Sequence, residues 1–277
     1  MLAGVLLVAM APFQPIAASD LLREALGGQT TTKLLGKGNT GAATQIGAEG
    51  LLANPASLAH KGPFYTYETL DLRNTGHSNA QANFVQLGVF GLGFTHFKDT
   101  LGNEVNVTAF GYGNHGKAVD WGLSYQTWTE TQSGVQSQAW GTDLGVVFHP
   151  APILDIGAVA HHFLASENAP QLAWEAGWTL QLGPLQWSFS GDYTPNPARV
   201  MTHHGLEFEI TPALSVRTGW MNHVYTLGAT LEFSIFNVSY AALYPESGAN
   251  AQYMLALALG KDNDDNANPQ QPRRRLR

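Results

Sequence analysis

The chain has 277 residues, no cysteine, a formal net charge of -7 and a charged fraction of 13%. A typical soluble domain has about 25% charged residues, so this chain has too few to cover the surface of an ordinary soluble protein. The missing cysteines exclude disulfides, thiolate metal sites and cysteine nucleophiles, and the scarcity of basic residues outside the last five positions argues against nucleic-acid binding.

Residues 1–19 have the pattern of a signal peptide. An apolar run is followed by small residues suited to cleavage near Ala18 or Ser19. The alternative, a buried N-terminal helix, is interrupted by Pro12 and Pro15. After residue 19 no stretch approaches the roughly 18 apolar residues of a membrane-spanning helix. The sequence therefore predicts an exported protein without membrane helices.

Residues 20–61 are rich in glycine and small residues and have no clean hydrophobic period. They contain one short helical candidate over 20–26, which Asp20 could cap and Gly27 could end.

Residues 62–260 change to short runs of alternating apolar and polar residues, separated by Gly, Pro, Asn and Asp. This period of two is typical of β-strands. We predict about fourteen strands, with boundaries good to a few residues. They cover 62–72, 80–89, 91–98, 104–112, 117–130, 135–149, 153–164, 169–182, 184–194, 198–210, 214–220, 223–232, 235–244 and 251–260.

Each strand has one apolar and one polar face. In residues 204–210, for example, Leu206 and Phe208 alternate with Glu207 and Glu209. In a soluble sandwich the apolar face would pack against a second sheet, whereas in an outer-membrane barrel it would face lipid and the polar face would line the lumen. Alternation alone does not choose between them.

Three observations favour the barrel. The number of runs is even, alternate gaps are only one to four residues long while several of the others are longer, and Trp and Tyr recur near run ends. About fourteen strands enclose a lumen too wide for wall side chains to fill. We therefore predict an all-β, antiparallel transmembrane β-barrel, with residues 20–61 as a short N-terminal plug and 261–277 as a polar, disordered tail.

The N-terminal motif adds a resemblance. The run GAATQIGA at 41–48 and NPASLA at 54–59 resemble the N-terminal signature of the PorV/PorQ outer-membrane family, which is related to the FadL-type transporters. Residues 236–241 and 253–260 are similar to that family's last two strands, and the resemblance covers roughly 36–260. The chain departs from the family in ending its last strand with Leu-Gly and in its polar tail, and it is shorter than FadL proteins.

The resemblance implies a fourteen-stranded barrel in the bacterial outer membrane, with Asn54, Pro55 and Ala56 at the bend where plug becomes wall. It implies an accessory that receives or presents exported proteins, with secretion-system proteins and membrane lipid as partners. The first alternative is a FadL-like uptake channel for hydrophobic small molecules. A further alternative is a soluble, secreted β-sandwich that binds a partner.

Several charged residues are predicted to face the lumen. If residues 211–213 form a tight turn, Glu207 lies opposite Arg217 and Glu209 lies opposite Ser215. Such a pair could anchor the plug or bind a polar head group, or it could only stabilise the sheet by about 0.2–1 kcal/mol. The predicted lumen-facing set is Asp155, Glu175, Asp192, Glu207, Glu209, Arg217 and Glu232.

Enzymatic motifs are weak in this chain. Residues 111–116 match G-x-G-x-x-G by letter, but the segment that follows is strand-like, whereas a dinucleotide site needs a helix there. His161-His162 and His203-His204 could suggest a metal, but consecutive strand residues point to opposite faces, so only one of each pair could join a site. We predict no enzyme activity, no cofactor and no metal.

Overall fold

The computed structural model describes residues 31–44, 47–60, 64–71, 79–98, 103–132, 135–167, 169–195, 198–247 and 251–260. The predicted signal peptide, the helical candidate over 20–26 and the tail 261–277 lie outside these residues. No helix within the described part of the chain has the length and apolar character needed to cross a membrane.

Fourteen strands form most of the described chain, close to the predicted boundaries. They are β1 (Tyr65–Asp71), β2 (Asn79–Leu87), β3 (Phe90–Lys98), β4 (Glu104–Asn114), β5 (Val119–Gln132), β6 (Val135–Ala151), β7 (Leu154–Ala165), β8 (Ala173–Leu182), β9 (Leu185–Pro195), β10 (Ala198–Thr211), β11 (Leu214–Met221), β12 (Val224–Glu232), β13 (Phe236–Pro245) and β14 (Gln252–Leu259).

The strands close into one antiparallel barrel. Each strand pairs with its neighbour in sequence, and β1 closes the sheet by pairing with β14, where Tyr65 lies opposite Leu259. Closure removes every sheet edge. The predicted fold class is confirmed, and the sandwich alternative is wrong because there is no second sheet for an inward apolar face to cover among the described strands.

The two ends of the barrel differ in their connections. We call the end where β1 begins and β14 ends the turn end; its connections are two to four residues long. Connections at the opposite end, the loop end, are two to seven residues long. Some of the two-residue connections use positive backbone φ, as at Gly88 and Gly183 in the turn end and at Asn222 and His223 in the loop end. Two successive positive φ values are those of a type I′ hairpin turn, which matches strand twist.

The outer surface of the barrel is apolar. Along β14, Leu255, Leu257 and Leu259 are exposed, while Met254 and Ala256 are buried. Residues Leu206 and Phe208 of β10 are likewise exposed on the outside, as the alternation predicts. A belt of large apolar side chains on the outside of a closed barrel is the surface that a lipid bilayer covers.

Residues 31–60 lie within the barrel, and we call them the inner segment. It contains a short helix, α1 (Thr32–Gly36), whose N-cap Thr31 accepts from the backbone N–H of Leu34 at 3.4 Å. Two 3-10 helices follow, Gly47–Gly50 and Pro55–Ala59. Nearly every described residue of the segment is buried.

The Asn-Pro-Ala motif begins the second 3-10 helix. Asn54 is its N-cap, and its side-chain oxygen accepts from the backbone N–H of Ala56 at 2.9 Å. Proline at the first helical position leaves no unsatisfied donor there. The motif is buried inside the barrel, and β1 begins at Tyr65, nine residues after Ala56.

Candidate functional site

The inner segment touches the wall through glycine. A Cβ added at Gly157 of β7 would fall on the backbone carbonyl of Ala42, and one at Gly122 of β5 would fall on that of Pro55. Backbone atoms cannot move aside as a flexible side chain can, so only glycine permits this approach. Wall glycines where a Cβ would come within 3.0 Å of the segment are Gly91, Gly111, Gly113, Gly122, Gly145, Gly157, Gly205, Gly219 and Gly228.

Wall carboxylates accept the segment's backbone N–H groups. Glu68 of β1 accepts from the backbone N–H of Thr32 at 2.8 Å and from its hydroxyl at 3.1 Å. Glu175 of β8 accepts from the N–H of Ala42 at 2.9 Å. Both carboxylates are buried, and a buried donor or acceptor left without its partner costs about 1–3 kcal/mol. These bonds fix where the segment lies against the wall.

A buried cation joins the segment to the predicted Glu207–Arg217 pair. The register of β10 and β11 places Glu207 opposite Arg217, as the turn at 211–213 predicts, and the Arg217 Nη2 donates to Glu207 at 2.8 Å. Lys37 of the inner segment lies 3.6 Å from the other oxygen of Glu207 and donates to Gln186. Burial lowers the pKa of Lys37 from 10.5 to about 8, although Glu207 opposes this shift. Glu207 therefore lies between two cations, one of them on the segment.

The other predicted lumen-facing residues are distributed differently. Asp192 lies 2.8 Å from Nε2 of His203, whose Nδ1 is 3.1 Å from the carbonyl oxygen of Gly38. Asp155, at the start of β7, lies at the turn end and contacts His149 of β6. Glu209 and Glu232, near the turn end of β10 and β12, are exposed. The structure therefore places these two glutamates near the rim of the barrel.

Several wall residues that contact the segment are missing from the predicted set, among them Glu68 and Gln86. The alternation over 64–72 is ambiguous, so the sequence does not assign the side chain of Glu68 to either face of β1. Gln86 of β2 accepts from the N–H of Ala48 at 3.0 Å and donates to the carbonyl of His60 at 2.7 Å. An uncharged glutamine near a strand end gives no sequence signal of its own.

The two histidines of β7 depart from the prediction. At a bulge between β6 and β7, the single residue Asp143 lies opposite 161–163, and His162 has a φ of 55°. Extra residues in one strand change the direction of its side chains. Both His161 and His162 are therefore buried, whereas strict alternation would place them on opposite faces. Asp143 accepts from the N–H of His162 at 2.8 Å and lies 3.2 Å from Nδ1 of His161.

His203 and His204 follow the prediction, since the first is buried and the second exposed. Inward-facing polar residues thus run along β5–β10, and we call them the polar wall. Its members are Gln126, Asp143, His161, Glu175, Asp192 and His203.

A different part of the interior is apolar. Met221 ends β11 and Val224 begins β12, so both flank a hairpin at the loop end, and Leu35 of α1 packs into the same group. We call this group the inner apolar cluster. Its members are Leu35, Ala80, Met221, Val224, Ala241, Leu243 and Met254, with Phe97 packed against them.

Comparison with solved structures identifies channels of similar fold. The monoaromatic hydrocarbon channel CymD has a TM-score of 0.60 at 13% identity, covering 84% of this chain and 97% of CymD. The toluene transporter TodX of Pseudomonas putida has a TM-score of 0.60 at 10% identity, covering 84% and 98%. A FadL homologue of Pseudomonas aeruginosa has a TM-score of 0.52 at 9% identity, covering 84% and 98%.

At these identities the likeness shows the fold alone. No protein-family model matches the chain, and no curated protein matches it in sequence.

Proposed function

We propose that this protein is a channel of the bacterial outer membrane that takes up hydrophobic small molecules and has no enzymatic activity. The observation that carries the proposal is the inner apolar cluster, within a barrel whose fold resembles hydrocarbon channels and a toluene transporter. The short connections of the turn end would face the periplasm, as is usual for such barrels.

The chemistry of the interior supports an apolar solute. Polar groups line the whole lumen of a water-filled pore, whereas here the polar wall covers one side and, on the other, two methionines and several aliphatic side chains face inward near the loop end. Methionine is flexible and polarizable, so Met221 and Met254 can adapt to solutes of irregular shape. A surface of this kind favours partition of a hydrocarbon out of water.

The inner segment would act as the plug of this channel. It contacts wall glycines from β3 to β12, so it extends across much of the lumen. A solute that enters at the loop end meets α1, because Leu35 belongs to both the segment and the inner apolar cluster. Passage then requires the segment to separate from the wall at this point.

Uptake of radiolabelled toluene tests the proposal. Cells without hydrocarbon channels of their own would express the protein or a variant, with its amount in the outer membrane measured by immunoblot. We expect uptake above the empty-vector level, and about tenfold less for Met254→Gln, because a newly buried amide costs about 1–3 kcal/mol.

The matched control is Met201→Gln. Met201 is a buried methionine of β10 outside the inner apolar cluster, so its replacement should leave toluene uptake near the original rate. Equal loss of uptake in both variants, or no uptake above the vector, would contradict the proposal.

A second candidate is the accessory of protein export that the PorV/PorQ resemblance implies. Its support is the loop end, where connections of two to seven residues leave little chain to cover the rim, so a protein partner could dock there. The solved structures named above favour uptake of small molecules over this hypothesis, which stays a prediction. Native mass spectrometry of the protein from its own membrane separates the two, since a stoichiometric protein partner would favour export and a retained apolar molecule uptake.

A further inference from the structure

Three imidazoles surround one buried carboxylate at the turn end of the barrel. The carboxylate is Asp120, the second residue of β5. His60 ends the described inner segment, His115 lies in the connection between β4 and β5, and His149 lies near the end of β6. His115 is five residues before Asp120, and His149 lies on β6, the neighbour of β5. The inner segment brings His60 to these three residues from 60 positions away.

The distances within this cluster are short. Oδ2 of Asp120 lies 2.5 Å from Nε2 of His60 and 2.9 Å from Nε2 of His149. Oδ1 lies 2.8 Å from Nδ1 of His115. The possible ligand atoms of His60, Asp120 and His149 all lie within 4.8 Å of one another.

The cluster is largely removed from solvent. The side chain of Asp120 is 0% exposed, that of His60 is 9% exposed and that of His149 is 13% exposed. His115 is 45% exposed and leaves one side of the cluster accessible. A dry, preformed set of nitrogen and oxygen donors with one open side is suited to a metal ion that enters from solvent.

A second carboxylate orients one imidazole. Nδ1 of His149 lies 2.6 Å from Oδ1 of Asp155, at hydrogen-bond distance. With the Nδ1 proton in that bond, loss of the Nε2 proton on metal binding would direct the Nε2 lone pair toward the centre of the cluster. Histidines that bind metals commonly donate their other ring N–H to a carboxylate in this way. This arrangement is a second observation, independent of the converging ligands.

We propose that this cluster is a binding site for a divalent transition-metal ion, with Zn²⁺ as the best fit. The ligands are Nε2 of His60, Nε2 of His149 and a carboxylate oxygen of Asp120, and His115 can supply a fourth. Asp155 is a positioning residue for His149.

The ligand types and spacing fit this choice. Imidazole nitrogens with a single carboxylate suit zinc, while Mg²⁺ and Ca²⁺ prefer sites made of oxygen. Zinc–nitrogen bonds are about 2.0–2.1 Å long, so tetrahedral ligand atoms are about 3.4 Å apart. The present spacings of 2.5 and 2.9 Å are those of hydrogen bonds, and metal binding would widen them by less than about 1 Å and release the shared protons.

The position of the site has a structural consequence. His60 belongs to the inner segment, whereas Asp120 and His149 belong to β5 and β6, so a bound ion would join the segment to the wall. Binding of the ion does not depend on the transported solute. The site can therefore be tested apart from the proposed channel function.

Zinc titration of the untagged, full-length protein in detergent tests the site. The protein is first stripped with a chelator and dialysed, and binding is followed by calorimetry, with Co²⁺ as a spectroscopic substitute for Zn²⁺. We expect one saturable site and the visible bands of tetrahedral cobalt. His149→Gln should abolish both signals, and Asp155→Asn, which keeps every ligand, should weaken binding about 10–100-fold.

The matched control is His223→Gln. His223 also contacts a carboxylate, Glu246, at 2.8 Å, but this pair is exposed at the loop end. Zinc affinity should be unchanged in this variant. Circular dichroism and electrophoretic mobility report whether each variant is folded. If His149→Gln does not fold, the zinc affinity of Asp155→Asn tests the proposal. No binding by the unaltered protein, or equal affinity in the unaltered protein and Asp155→Asn, would overturn the proposal.

Discussion

The polar wall and the inner apolar cluster contact the same inner segment by different physical means. On the polar wall, Glu175 accepts a hydrogen bond from a defined backbone N–H, and Gly157 lets the segment's backbone lie directly against the strand. In the apolar cluster, Leu35 contacts aliphatic side chains and methionine, which impose no direction. Hydrogen bonds fix one position, whereas apolar packing tolerates rearrangement. On the apolar side Thr226 of β12 also bonds the segment, through the N–H of Gly38 and the carbonyl of Gly36. For the proposed uptake, the packing of Leu35 is the contact that a hydrophobic solute would replace.

Gly157→Ala should produce the largest effect, because it breaks the contact on the polar wall. The added methyl would overlap the carbonyl of Ala42, and since Ala42 also donates to Glu175, both the packing and the hydrogen bond are disturbed. Overpacking of this kind costs about 1–3 kcal/mol, and a lost buried hydrogen bond adds to it. Urea unfolding of the folded barrel and conductance of the reconstituted protein measure the loss of stability and the opening of the lumen.

Gly191→Ala is the control for this substitution. Gly191 of β9 would place its methyl 3.6 Å from the carbonyl of Met201, an ordinary contact. This variant should keep the original stability and conductance. If the two variants behave alike, the segment is not seated against β7.

Lys37→Met should give a smaller, pH-dependent effect, because it replaces a polar contact by an apolar one. The pKa of Lys37 is lowered to about 8 in the folded protein from 10.5, so between these values the unfolded chain binds more protons. Its contribution to the free energy of unfolding therefore rises with pH from about 8 to about 10.5, by about 3 kcal/mol, and is lost as pH falls through 8.

Urea unfolding of both proteins between pH 7 and pH 11 isolates this contribution as a difference. The original protein should gain stability relative to Lys37→Met as pH rises through that window. A constant difference across the window would mean that Lys37 is not desolvated.

The sequence contained most of the wall and little of the interior. Strand alternation is a local signal, so the boundaries and the outward face were predictable, and the turn around Pro212 set the pairing of Glu207 with Arg217. The path of the inner segment was not predictable, because an irregular chain has no hydrophobic periodicity from which to predict its structure. Its contacts with Glu68 join residues on different elements, and no local pattern encodes them.

The bulge and the proposed metal site escaped prediction for related reasons. The residues around His162 do not predict its positive φ, because this conformation depends on how β6 and β7 pair. His60 and Asp120 are 60 positions apart in the chain. The sequence does carry a weak signal for the proposed metal site. His115 and His149 each lie a few residues before an aspartate, across a connection at the turn end.

Glu209→Gln should have the smallest effect and defines the edge of the polar wall. Glu209 is exposed near the turn end and lies opposite Ser215, whereas Glu207, two residues earlier, lies between Arg217 and Lys37. We expect Glu209→Gln to change the free energy of unfolding by less than about 0.5 kcal/mol, as is usual for exposed positions. Glu207→Gln should cost about 1–3 kcal/mol, because two largely buried cations lose their shared counter-charge. If urea unfolding shows that Glu209→Gln and Glu207→Gln lose the same free energy of unfolding, then Glu209 belongs to the network of Glu207, Arg217 and Lys37. The polar wall would then extend to the turn end of β10.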